Sequence, residues 1–132
     1  MWRRRFWSSM APQTMVDSQT NFITIMPQVK HTATVIFLHG LGDTAHGWAD
    51  PMKQLAHQYP HIKFMLPTAK IQPVSLNFGM PMPSWYDIKG LTERANDTCD
   101  GIEDSRQLVD TLIQTEISQH GIPSSRIVGT SF

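Results

Sequence analysis

Thr34-Val35-Ile36-Phe37-Leu38-His39-Gly40-Leu41-Gly42-Asp43-Thr44 is the stretch on which the fold turns. Its first five residues form a continuous apolar run, β-branched at its start. A strand with one wet face would alternate apolar and polar residues. A continuous run predicts a strand buried on both faces, as inside a parallel sheet. His39 to His46 follow as a turn carrying Gly40 and Gly42. Trp48, Met52, Leu55, Ala56 and Tyr59 then recur at helical spacing, with Pro51 tolerated in the first turn and Pro60 closing the helix.

Toward the C-terminus, Ile62 to Leu66 is a second buried-type strand, closed by Pro67. Residues 67–100 are irregular and rich in Pro, Gly and Met. A loop that long inside a compact domain is functional or contains short elements of its own. Asp100 and Glu103 are spaced as a capping pair for the next helix. There Ile102, Leu108, Val109, Leu112, Ile113 and Ile117 follow a 3.6-residue period, and His120-Gly121 and Pro123 end it. Arg126-Ile127-Val128 opens a third strand. Toward the N-terminus, Phe22 to Met26 is a short β-prone run stopped by Pro27. Residues 1–20 read as an N-terminal tail and 21–132 as the domain. This order predicts an α/β fold in which the three buried strands are parallel neighbours, the last beside the first.

Composition narrows the classes. At 132 residues, 40% hydrophobic and 17% charged, the chain is of a globular kind. Eleven basic residues balance eleven acidic ones, so no charge excess points to nucleic acid. The single cysteine, Cys99, excludes a disulfide within the chain and favours a reducing, cytoplasmic setting. No run of about 18 apolar residues is present. The basic, aromatic segment from Trp2 to Trp7 fits three roles: a disordered leader, a mitochondrial presequence, or a peripheral membrane contact.

His39-Gly40-Leu41-Gly42-Asp43 resembles the oxyanion loop of the acyl-protein thioesterase and lysophospholipase-like carboxylesterase family. Three further segments match in order. Gly47-Trp48 continues the loop into a helix, Pro81-Met82-Pro83-Ser84-Trp85-Tyr86-Asp87 is similar to the family's Met-Pro-Ser-Trp-Phe-Asp segment, and Gly121-Ile122-Pro123-Ser124-Ser125-Arg126-Ile127 resembles the approach to its nucleophile strand. The resemblance implies an α/β-hydrolase, a doubly wound and mostly parallel sheet, truncated here after the start of the nucleophile strand. It implies hydrolysis of thioesters or esters without a cofactor, acting on S-acylated protein or a lipid ester. It makes Leu41 and Gly42 the oxyanion-hole residues, with His39, Gly40 and Asp43 supporting the loop and Trp85 walling the substrate groove.

The resemblance assigns no catalytic serine, aspartate or histidine. The family continues Arg-Ile with a hydrophobic pair and then Gly-Phe-Ser-Gln-Gly. Here Val128-Gly129-Thr130-Ser131-Phe132 stands instead, and Ser131 lacks the second glycine of a nucleophile elbow. The expectation is an inactive chain. Cys99 has Asp97 and Asp100 nearby, and adjacent carboxylates disfavour a thiolate nucleophile. His57 and His61 are separated by Pro60, which breaks the helix that would align them on a metal. Two other readings compete. Gly40-x-Gly42-x-x-Ala45 fits a dinucleotide fingerprint, but Met65-Leu66-Pro67-Thr68 lacks the acid that would hold a ribose. A non-enzymatic, truncated product is the other.

Overall fold

The structure, a computed structural model, describes residues 11–92 and 94–131. The Trp2–Trp7 segment lies outside the described residues. Among the described residues seven strands form: β1 (Thr14–Asp17), β2 (Phe22–Ile25), β3 (Ala33–Leu38), β4 (Ile62–Leu66), β5 (Ile71–Pro73), β6 (Pro81–Pro83) and β7 (Ile127–Ser131). Two α-helices accompany them, α1 (Ala49–Gln58) and α2 (Ile102–His120). The main sheet runs β1-β2-β4-β3-β7, and β5 pairs with β6 separately.

The continuous apolar runs behave as their composition predicts. β3 lies between β4 and β7 and is parallel to both, with Val35 beside Phe64 and Val128. β2 joins β4 antiparallel, and β1 joins β2 antiparallel. The main sheet therefore has a parallel centre with an antiparallel margin, which fits the α/β-hydrolase fold that the resemblance implies.

Side chains alternate across a strand, so each strand serves two faces. One face gathers Ile23, Ile25, Phe37, Phe64 and Leu66 against Ala49, Met52 and Ala56 of α1. Trp48 closes this cluster, its ring 4.8 Å from that of Phe37. The opposite face carries Thr34 and Lys63. Both are buried, and both meet Glu116 of α2, which has no exposed surface.

Several local expectations are corrected. Thr14–Asp17, within the span read as a tail, is a strand. It is tied to β2 by a turn in which the Asp17 carboxylate accepts the Gln19 and Thr20 N–H groups. Asp100 and Glu103 do not cap α2. Gly101 occupies the N-cap at φ 91° with no side-chain bond, and Asp100 pairs with Lys89 at 2.7 Å. The left-handed turn at Gly101 stands between the Asp100 carboxylate and the helix. The apolar period of α2 is half-buried at Leu108, Val109, Leu112, Ile113 and Ile117, and the deepest residue is the charged Glu116. The helix does end at Gly121, whose φ of 66° suits glycine at that cap.

Residues 67–100 hold short elements. β5 and β6 form a hairpin around a 3-10 turn at Ser75–Asn77. Asp87 braces that turn, accepting the Ser75 N–H at 2.7 Å and its hydroxyl at 2.6 Å. These bonds hold its carboxyl below the ordinary range.

Candidate active site

Three segments converge where β3 ends: the loop 39–44, the exit from β4 at 67–70, and the stretch leaving β6 at 83–86. Main-chain donors knit them together. Gly42 N–H donates to the Pro83 carbonyl (2.9 Å), and Ser84 N–H to the Lys70 carbonyl (3.1 Å). Ala69 N–H donates to His39 Nε2 (2.9 Å), and Ala45 N–H to the Thr68 hydroxyl (3.0 Å). Thr68 in turn donates to the Asn21 carbonyl (2.7 Å), which ties the site to the β1–β2 turn.

The loop itself is turned by Gly42, the residue of the His39–Asp43 motif with a left-handed φ, at 79°. Gly40 has no such conformation, so the motif's two glycines are not equivalent. Gly47 is needed for a different reason. A Cβ there would lie 2.2 Å from a carboxylate oxygen of Asp43. Asp43 packs against this bare Cα while accepting the Thr44 N–H at 2.8 Å. The residue therefore supports the loop at the start of the 3-10 turn Ala45–Trp48.

Of the two oxyanion-hole residues that the resemblance implies, only one has a free amide. The N–H of Gly42 is spent on Pro83, so it is no donor to a ligand. Leu41 N–H has no hydrogen-bond partner among the described residues, and Leu41 is 38% exposed. An amide left free on a partly exposed loop is what an oxyanion donor requires.

Trp85 combines two roles. Its indole N–H donates to the His39 carbonyl at 2.8 Å, and its ring lies 5.0 Å from the imidazole. Its own carbonyl accepts the Ser105 hydroxyl of α2 at 2.5 Å. Its remaining surface lines an apolar depression of about 340 Å³ with Leu38, Ile102, Val109, Arg106 and Ser131. Ser131 is opposite Leu38 in the parallel β3–β7 register. Among the described residues no histidine is hydrogen-bonded to it. His39 has both nitrogens engaged, His31 contacts Thr34, and His46 contacts Asn21. The Cys99 thiol donates to the Asn96 carbonyl.

Sequence reasoning missed Thr68, Ala69 and Ser105, whose parts depend on distant partners. It also missed Lys63 and Glu116, where a signal existed. Lysine interrupts an apolar strand, and glutamate stands four positions after Leu112 on the apolar face of a helix.

A parallel-stranded centre, with a glycine-turned loop and a free amide at the C-terminal end of β3, agrees with the α/β-hydrolase fold that comparison with known proteins shows. The chain belongs to the Phospholipase/Carboxylesterase family, which it matches over residues 19–132. It is 50% identical over 109 residues to acyl-protein thioesterase 1 of Cryptococcus neoformans, covering 80% of this chain and 45% of that protein. It is 43% identical over 99 residues to acyl-protein thioesterase 1 homolog 1 of Dictyostelium discoideum, covering 74% of this chain and 44% of that protein. Its fold matches the crystal structure of Zea mays acyl-protein thioesterase 2 with a TM-score of 0.68 at 34% identity, covering 83% of this chain and 44% of that one. The chain thus spans less than half the length of these relatives.

Proposed function

We propose that these residues form the oxyanion side of a serine hydrolase of thioesters and carboxylic esters, with S-acylated protein the favoured substrate and lysophospholipid or small esters the alternatives. The observation that carries this reading is the free Leu41 N–H, on a loop fixed from three sides. In acyl transfer the carbonyl oxygen gains charge as the tetrahedral intermediate forms. A preorganised amide stabilises that charge, and loss of one such donor costs about 10²–10³ in rate. Trp85 and the apolar residues beside it supply a surface on which an acyl chain can lie.

Among the described residues no serine pairs with a histidine. Nucleophile, base and orienting acid act as a unit, and without them only residual catalysis remains. Residues 1–132 should therefore neither react with a fluorophosphonate probe nor hydrolyse a palmitoyl thioester. Stoichiometric labelling of Ser131 would overturn that part of the reading. The positive part is tested by a chimera in which residues 19–132 replace the matching portion of the Cryptococcus neoformans relative. It should hydrolyse the thioester, and Leu41→Pro, which removes the amide hydrogen, should lower kcat by about 10²-fold or more. A folded but inert chimera would sink the proposal.

A further inference from the structure

We propose that His39 is the positioning residue of this loop: its neutral, Nδ1-protonated ring holds the Gly40 carbonyl and thereby turns the Leu41 N–H outward. The inference rests on the reading of Leu41 as the oxyanion donor and supplies what orients it.

The ring's protonation state follows from its partners. His39 is 2% exposed. Its Nε2 faces the Ala69 N–H at 2.9 Å, and an amide can only donate, so Nε2 carries a lone pair. Its Nδ1 faces the Gly40 carbonyl at 2.7 Å, and a carbonyl can only accept, so Nδ1 carries the proton. A doubly protonated ring would set one N–H against another. Trp85 adds two restraints, through its bond to the His39 carbonyl and its ring against the imidazole.

The consequence lies in the next peptide unit. The Gly40 carbonyl and the Leu41 N–H belong to one plane, and no peptide bond in the described chain is cis. In a trans unit the two bonds point in opposite directions. Drawing the carbonyl onto the buried imidazole therefore points the N–H away from it. Asp43 N–H also donates to the same carbonyl, at 3.2 Å. A flip would rotate ψ of Gly40, which glycine tolerates, together with φ of Leu41, which now lies in the ordinary negative range. The flipped unit would lose both bonds to the carbonyl and turn the Leu41 N–H toward the interior. His39 thus holds this peptide in the outward orientation, and does so without touching a substrate.

The test uses nuclear magnetic resonance on residues 1–132 and needs no turnover, so it can fail or succeed independently of the proposed activity. Long-range proton–nitrogen correlation of the unaltered chain at neutral pH should show His39 protonated at Nδ1 and bare at Nε2. The opposite tautomer, or an imidazolium, would overturn the proposal. Two substitutions then separate positioning from packing. In His39→Asn the side-chain amide can stand in for Nδ1–H and reach the Gly40 carbonyl. In His39→Gln the longer side chain can stand in for Nε2 and accept from Ala69. The Gln variant should shift the Gly40 carbonyl carbon and broaden or split the Leu41 amide signal. The Asn variant should keep both close to the parent while moving the Ala69 amide. Equal behaviour of the two variants at Gly40 and Leu41 would reduce His39 to a packing residue and refute the assignment.

Discussion

On one face of the sheet, Phe37, Phe64, Leu66, Ile23 and Ile25 meet Met52 and Ala56 of α1. On the other, Lys63 and Thr34 meet Glu116 of α2. The Lys63 ammonium lies 2.5 Å from Glu116 Oε1, and the Thr34 hydroxyl donates to Oε2 at 2.9 Å. That hydroxyl has one proton, so His31 Nε2–H must be the donor to Thr34, at 2.9 Å. The first face is held by area removed from water, which has no preferred direction. The second is held by groups with definite geometry. Apolar packing lets α1 settle wherever volume is filled, whereas the carboxylate of Glu116 fixes both the rotation and the axial position of α2. The cost is fragility. A buried ion pair contributes little net stability, because desolvation offsets its attraction, but removing one member strands the other.

The largest effect should follow from Glu116→Gln. The side chain keeps its shape and loses its charge, leaving the buried Lys63 ammonium without a counterion. Urea unfolding should show a loss of about 3–5 kcal/mol. Lys63→Met combined with Glu116→Leu should recover most of that loss, since the whole buried pair is replaced by apolar volume and no charge is left stranded. A single substitution costing under about 1 kcal/mol would show that the two faces do not differ as argued. The matched change on the apolar face is Phe64→Leu, which alters shape but keeps hydrophobicity. It should cost less than about 1.5 kcal/mol in the same measurement. A loss as large as that of Glu116→Gln would make α1 as exactingly placed as α2.

The smallest effect concerns pH and His31. Burial lowers its pKa, and the Lys63 and His120 charges reinforce this, against the raising influences of Glu116 and the backbone at Ala33. The folded state therefore binds this proton less readily than the unfolded chain. The stability His31 contributes is fully present above the unfolded value, about 6.5, and is lost as pH falls from there through the depressed folded value. Thermal melts between pH 7.5 and 5 should show a decline that His31→Gln flattens. An unchanged pH slope in that variant would remove His31 from the ionic face.

How far the sequence could be read follows the same division. β3 and β4 were legible because a strand buried on both faces must be apolar at every position but the paired one. The loop 39–43 was legible because its glycines and its match to a known family stand in contiguous residues. β1 was not, because Thr14–Asp17 carries no alternation and is held by its pairing with β2. The one local clue was Asp17, whose carboxylate caps the turn. β5 and β6 were illegible for the same reason: three residues each, with prolines at Pro73, Pro81 and Pro83, pairing through main-chain bonds. The loop residues split likewise. Leu41 was predicted as a donor and its amide is free. Gly42 was named with it, but its N–H is taken by Pro83, a partner 41 positions on that no local pattern announces.

The sequence by itself determined which segments are strands and helices at the centre of the fold, that they alternate, and that a glycine-turned loop follows β3. These are consequences of periodicity and of local steric freedom, which act over a few residues. Only the tertiary structure decided which amide stays free, which tautomer His39 adopts and which carboxylate meets Lys63. Those outcomes depend on groups brought within 3 Å of one another from 30 to 82 positions apart, and hydrogen-bond geometry at that range is set by the packed whole.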